Sequence, residues 1–321
     1  MKRLLSIILA LVLCSEAAFA DRSEDVIARI VPQPKQVETS KGNFNFRGAA
    51  FRCEQTLDAA SIDLLKRFSA RVSLVSGKSC PFSSTGGLSD AVSNGSAKGV
   101  IFLKDDNTPD GSYRIEATTR MCVVRAAGFD GLKNAISTLM QLLPESVYTT
   151  GNGSADKWTI PACTITDTPG SPQRALTVDC AKAFRDIKEL KGVVDLAVRY
   201  KFNTIRMVLS SEDRWRFKGE KSSAFAQVSI FYDSGNEKSI YTPSDVSELR
   251  KYAERNGVML IPELVRPSKI LQYIEFSDIP DISIEEIAQT FGYEPSLIPA
   301  EAVSEDISDV DIKNLAEKVW K

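Results

Sequence analysis

The stretch KFNTIRMVLSSEDRWRF, Lys201 to Phe217, decides the fold. Asn203 to Leu209 is a mostly apolar run of strand length, and the polar loop after it carries Glu212, Asp213, Arg214, Trp215 and Arg216. Acids, a guanidinium and an indole at the C-terminal end of a buried strand are how an α/β barrel equips a ligand site, and this mixture suits a sugar. The sequence contains no histidine, so any chemistry here proceeds without imidazole.

Working outward, strands and helices alternate. Arg174 to Asp179 is a short apolar strand, and Asp186-Ile-Lys-Glu189 is a capping box that opens a helix with Ile187, Leu190, Val194 and Ala197 inward. Downstream, Thr242-Pro-Ser-Asp245 caps a helix with Val246, Leu249 and Ala253 inward, and Asn256-Gly257 ends it. Val258 to Ile261 is a third strand, running into Pro262 and Glu263. This β-α-β-α-β order implies a parallel sheet with right-handed crossovers. Beyond Lys269, Ser283-Ile-Glu-Glu286 and Ser308-Asp-Val-Asp311 each read as the cap of an amphipathic helix, and no fourth strand is legible.

Residues 21–150 have a different pattern, that of a small α+β domain. Phe44 to Phe51, Lys98 to Leu103, Tyr113 to Glu116 and Cys122 to Arg125 read as strands, the last two joined by a turn near Thr119. One helix covers Ala59 to Ser69, and a second opens at Asp130, carries Leu132, Ile136, Leu139 and Leu143 on one side, and stops at Pro144. TTGNGSAD, Thr149 to Asp156, marks the expected seam, with residues 151–321 as the second domain. The two Asn-Gly-Ser triplets, at Asn94 and Asn152, read as turns.

The first twenty residues, MKRLLSIILALVLCSEAAFA, pair Lys2 and Arg3 with an apolar run and Ala18-Phe19-Ala20, the pattern of a secretory signal peptide. An exported protein, periplasmic or extracellular, is therefore expected, with a lipoprotein at Cys14 as the alternative; bulky Leu13 argues against the latter. No later stretch is long and apolar enough to span a membrane. Removing Lys2, Arg3 and Glu16, one net positive charge, takes the formal charge from −2 to −3, which argues against a nucleic-acid partner. Cys53, Cys80, Cys122, Cys163 and Cys180 would remain, an odd number spaced too widely for a zinc ribbon. A Cys53–Cys80 disulfide and buried free thiols are both open. No metal and no cofactor is expected.

At this level the residues carry a resemblance. IVPQPK (Ile30 to Lys35), MQLLP (Met140 to Pro144) and IPACTITDTPGSPQRALTVD (Ile160 to Asp179) resemble the N-terminal domain and first barrel strand of glycoside hydrolase family 20, the β-N-acetylhexosaminidases. KFNTIRMVLSSEDRWR is similar to that family's second strand, and YTPSDVSELRKYAERNGVMLIPEL (Tyr241 to Leu264) to its next helix and third strand. The resemblance implies a small α+β domain followed by a (β/α)8 TIM-type barrel. It also implies substrate-assisted hydrolysis: the sugar's 2-acetamido oxygen attacks the anomeric carbon, an aspartate orients that group, and an adjacent glutamate is the acid/base.

The chain departs from that pattern. Nothing from Ile270 to Lys321 matches the Asp-Glu pair that follows the family's fourth strand. Val208 and Lys269 stand where histidines are expected, Ser211-Glu212 replaces an aspartate pair, and Val265 replaces another aspartate. A complete barrel needs roughly 250 residues, so a partial one with about half its strands is expected. Glu263 and Glu212 remain as candidate acids; Arg174, Asp179, Glu263 and Trp215 are the candidate substrate-binding residues. Each has a plain alternative: a strand-end salt bridge of Arg174 with Asp179 or Glu263, a supporting ion pair for Glu263, a solvated carboxylate for Glu212, core packing for Trp215, and an ion pair of Asp179 with Lys182. Three readings follow: an inactive member that binds N-acetylamino-sugar glycans, an active hexosaminidase using other carboxylates, and a scaffold whose open barrel is covered by a second copy or a partner.

Overall fold

The computed structural model describes residues 25–149, 151–220, 224–227, 239–272, 274, 278–279, 281–299 and 309–321. The expected leader and the cap at Ser308 lie outside them. Two compact units divide between Gly170 and Ser171, not at the glycine- and serine-rich stretch near residue 150. The reason is β7 (Thr159–Asp167), which pairs with β1 (Gln36–Asn45) on one side and β5 (Tyr113–Ala117) on the other. Gly153 is held too: its amide donates to the Val75 carbonyl, and its carbonyl accepts the indole N–H of buried Trp158 at 2.8 Å.

The first unit is a seven-stranded mixed sheet. Its order is β1-β7-β5-β6-β4-β2-β3, with β2 at Phe51–Glu54, β3 at Phe82–Thr85, β4 at Gly99–Lys104 and β6 at Met121–Ala126. Phe44 to Phe51, expected as one strand, is the end of β1, a turn and the first residue of β2. The first helix, α1, runs over Ala59–Ser76, longer than expected, because Val72 and Val75 extend its buried stripe until Gly77 turns left-handed at φ 68°. A short helix, α2 (Leu88–Ser93), packs Leu88 against Ile101, Leu103 and Val123, while Phe102 on the alternate side of β4 meets Phe51. Burial on both faces explains why β4 reads as a continuous apolar run. Helix α3 (Phe129–Leu142) buries Leu132, Ala135 and Leu139 and packs against α1, β5 and β6.

The second unit begins with β8 (Ala175–Asp179), α4 (Ile187–Arg199), β9 (Thr204–Ser210), α5 (Pro243–Arg255) and β10 (Met259–Val265). Both expected capping boxes form: Asp186 accepts the Glu189 amide at 2.8 Å, and Thr242 accepts that of Asp245 at 3.2 Å. Then come α6 (Ser268–Leu271), α7 (Asp281–Phe291), β11 (Ser296–Ile298) and α8 (Asp309–Trp320). Ser283 lies inside α7 rather than at its cap. The sheet is fully parallel in the order β11-β10-β9-β8, so a fourth strand does exist. It escaped the sequence reading because it is three residues long and Leu297 is exposed.

The sheet's two faces differ. Leu176, Val178, Ile205, Met207 and Leu260 are buried on the side served by the apolar stripes of α4 and α5. On the alternate side, Thr177, Asp179, Arg206 and Ile261 are half-buried, while Thr204, Val208 and Glu263 are buried. These form the surface that a closed barrel would turn inward.

Candidate functional site

Parallel register fixes the site. Asp179, Val208, Glu263 and Ser296 form one row across β8, β9, β10 and β11, near the C-terminal ends of β8, β9 and β10 and at the start of β11. Two residues earlier on β9, Arg206 lies on the same face, and its Nη1 reaches Glu263 Oε1 at 3.5 Å. Glu263 is 5% exposed; burial pushes its carboxyl up from the ordinary range, and Arg206 pulls it partly back. Arg206 was missed in the sequence. Its signal was a charged residue alternating with buried Ile205 and Met207.

The loops beyond these strand ends are tied together. Asp179 Oδ1 accepts the backbone amide of Lys182 at 2.8 Å, which closes the turn after β8; the expected ion pair is replaced by this backbone contact. Ser211 to Arg214 form a hairpin end, with the Ser211 amide on the Arg214 carbonyl and Ser210 bridging Trp215. Buried Arg216 donates to the carbonyls of Cys180, Ala181 and Ser239, joining the loop after β8 to the loop after β9. Glu212 takes the Lys269 amide on its backbone carbonyl and the Lys269 ammonium on its carboxylate at 3.4 Å, joining the loops after β9 and β10.

Two expected binding residues do not reach this site. Arg174 precedes β8, at the opposite end of the sheet. It is buried, with Nε on the Lys201 carbonyl at 2.8 Å, Nη1 on the Ser171 carbonyl at 2.7 Å, and its guanidinium 5.1 Å from the Trp320 ring centroid. A buried guanidinium needs acceptors, and local carbonyls supply them; neither expected salt bridge forms. Trp215 is fully buried, 4.8 Å from Phe225 between ring centroids, and offers no face to a ligand. Glu212 is half-exposed and paired with Lys269, so it and Glu263 belong to separate ion pairs.

The five described cysteines are all free and buried, so no Cys53–Cys80 disulfide forms. Among the described residues no cluster of three or more metal-binding side chains occurs, and no helix is long and apolar enough to cross a membrane. The position after β11, where the resemblance places a catalytic pair, begins with Pro299; the next acid in the sequence, Glu301, lies outside the described residues.

Residues 28–168 match the family described as glycosyl hydrolase family 20, domain 2, and residues 172–305 match glycosyl hydrolase family 20, catalytic domain. Similar curated proteins include the beta-hexosaminidase of Akkermansia muciniphila, 30% identical over 179 residues, which are 53% of this chain and 35% of that protein. The beta-N-acetylhexosaminidase of Cellulomonas fimi is 26% identical over 183 residues, 55% of this chain and 35% of that protein. Among solved structures, the GH20 exo beta-N-acetylglucosaminidase from Vibrio harveyi, in complex with N-acetylglucosamine, aligns with a TM-score of 0.64 at 20% identity, over 83% of this chain and 45% of that one. The GH20 beta-N-acetylhexosaminidase from Streptomyces coelicolor gives 0.62 at 23% identity, over 74% and 46%. The aligned part is about a third of the length of these curated relatives. With both domains of the family matched in order along its length, the chain belongs to glycosyl hydrolase family 20.

Proposed function

We propose that this chain is an exported family-20 protein that binds N-acetylamino-sugar glycans on the open face of its parallel sheet without hydrolysing them. One observation carries the reading: the two candidate acids are held apart, Glu263 by Arg206 at 3.5 Å and Glu212 by Lys269 at 3.4 Å. Substrate-assisted hydrolysis needs an acid that keeps its proton beside the leaving oxygen and a second carboxylate beside the amide nitrogen. The half-buried Asp179 carboxylate and Arg206 guanidinium, on one face of the sheet, suit recognition of hydroxyl and acetamido groups. The names of the relatives support the sugar class, and the Lys2-to-Ala20 pattern supports export.

The test is turnover of a fluorogenic N-acetyl-β-glucosaminide by the chain from Asp21 to Lys321, alongside calorimetric titration with N-acetylglucosamine. Binding with no turnover above a Glu263→Gln control is expected. Turnover that collapses in Glu263→Gln or Glu301→Gln would overturn the inactive reading and establish an active hexosaminidase.

A second reading has its own observation. Leu297 on edge strand β11 is 62% exposed, and nearby Tyr293 is 40% exposed. A second copy of the chain covering that edge would hide both. Sedimentation as a dimer that Leu297→Lys dissociates supports it; a monomer throughout removes it.

A further inference from the structure

Two aromatic pairs, one tilted and one stacked, lie in the loops beyond the sheet's C-terminal edge, and they differ in what they show to solvent. Trp215 on Phe225 is a core contact, both rings fully buried. Phe184 on Tyr241 is not: the ring centroids are 4.9 Å apart with planes 27° from parallel, Tyr241 is buried, and Phe184 is only half-buried. Phe184 follows the turn that Asp179 closes, so its ring stands at the same end of β8 as the Asp179 carboxylate.

The ring is held firmly. The Tyr241 hydroxyl donates to the Arg185 carbonyl at 2.7 Å and accepts the Arg185 amide at 3.4 Å, bracketing the residue next to Phe184. Behind it, the Tyr241 amide donates to the Arg216 carbonyl at 2.7 Å. A sugar ring presents one apolar C–H face and an equator of hydroxyls. It is matched by a fixed flat apolar surface with a few polar groups at its edge; half-buried Asp179 and exposed Lys182 precede Phe184 in the same turn.

We propose that Phe184 is the stacking platform for a pyranose ring of the bound N-acetylamino-sugar glycan, with Tyr241 as its rigid backing; this rests on the glycan-binding reading above.

The experiment is calorimetric titration with tri-N-acetylchitotriose of the unsubstituted chain, Phe184→Leu and Phe184→Tyr. Leucine keeps an apolar contact with Tyr241 but has no flat face. Affinity is expected to fall about tenfold in Phe184→Leu and to stay within about twofold in Phe184→Tyr. Equal affinity in a folded Phe184→Leu overturns the platform and leaves glycan binding standing. A folded unsubstituted chain that binds nothing overturns both. Should the leucine variant unfold, the unsubstituted chain gives the answer by NMR: upfield ring-current shifts of the sugar C–H protons are expected, and their absence with bound sugar overturns the platform.

Discussion

Arg206 Nη1 and Glu263 Oε1 meet at 3.5 Å across two parallel strands, on the same face of the sheet as Asp179. The carboxylate is nearly buried and the guanidinium half-exposed, so the pair is anchored from the acid's side. Burial favours the neutral acid and the guanidinium favours the charged one, and burial is the larger effect, so the contact moderates the rise in the Glu263 carboxyl without reversing it.

The pH dependence follows with a definite sign. Burial raises the folded-state value for Glu263 above that of the unfolded chain. Its contribution to stability is therefore complete below the unfolded value, about 4.3 for a free glutamate, and is lost as pH rises through the raised folded value. Glu263→Gln keeps the shape without the titration, so its melting temperature relative to the unsubstituted chain should rise between about pH 4 and about pH 7. A difference that stays constant over that range refutes the buried-carboxylate argument.

The thiols should be inert in the native state. Burial pushes Cys163 and Cys180 up to about 11 and raises Cys122 further, with Cys163 adding to the effect on Cys122. The thiolate is the reactive form, so an aromatic disulfide reagent near pH 8 should label the five described cysteines only slowly until denaturant is added. Rapid labelling of the native protein would contradict their burial.

Trp320 is expected to be the most costly single truncation in the second unit. Its ring is fully buried, with the Arg174 guanidinium at 5.1 Å and the Lys201 ammonium at 4.5 Å from the centroid. Trp320→Ala removes the ring that both cations face, together with its packing volume, and should cost about 3–5 kcal/mol by urea unfolding. Trp320→Phe should cost clearly less.

Gly99 begins β4 at φ 89°, and a Cβ there would meet the Ala50 carbonyl oxygen. Its own amide donates to the Arg120 carbonyl at 3.1 Å, so the backbone has little room to move away. Gly99→Ala should destabilise the first unit by about 1–3 kcal/mol, read as a shift in the denaturation midpoint.

The partial barrel was legible wherever periodicity was strong. Both capping boxes, three of the four parallel strands and their two crossover helices follow from local chemistry, because caps and apolar stripes need only neighbours in sequence. The edge strand β11 was not legible: an exposed three-residue strand carries no period. The seam was misplaced for a related reason, since glycine and serine mark flexible backbone but cannot say which sheet will claim the strand that follows.

The candidate site divides along the same line. Sequence by itself determined the family pattern, the absence of histidine, and the acids and cations available after each strand. Only the tertiary structure decided their partners. Arg174 went to the far end of the sheet because one strand's length separates its position from the C-terminal loops, and Trp215 went into the core beside Phe225. Glu263 found Arg206, 57 residues away, because parallel pairing sets Arg206 opposite Ile261, diagonal to Glu263 on the same face. Register is a long-range property: it depends on how two distant segments align, and no local pattern in either contains it.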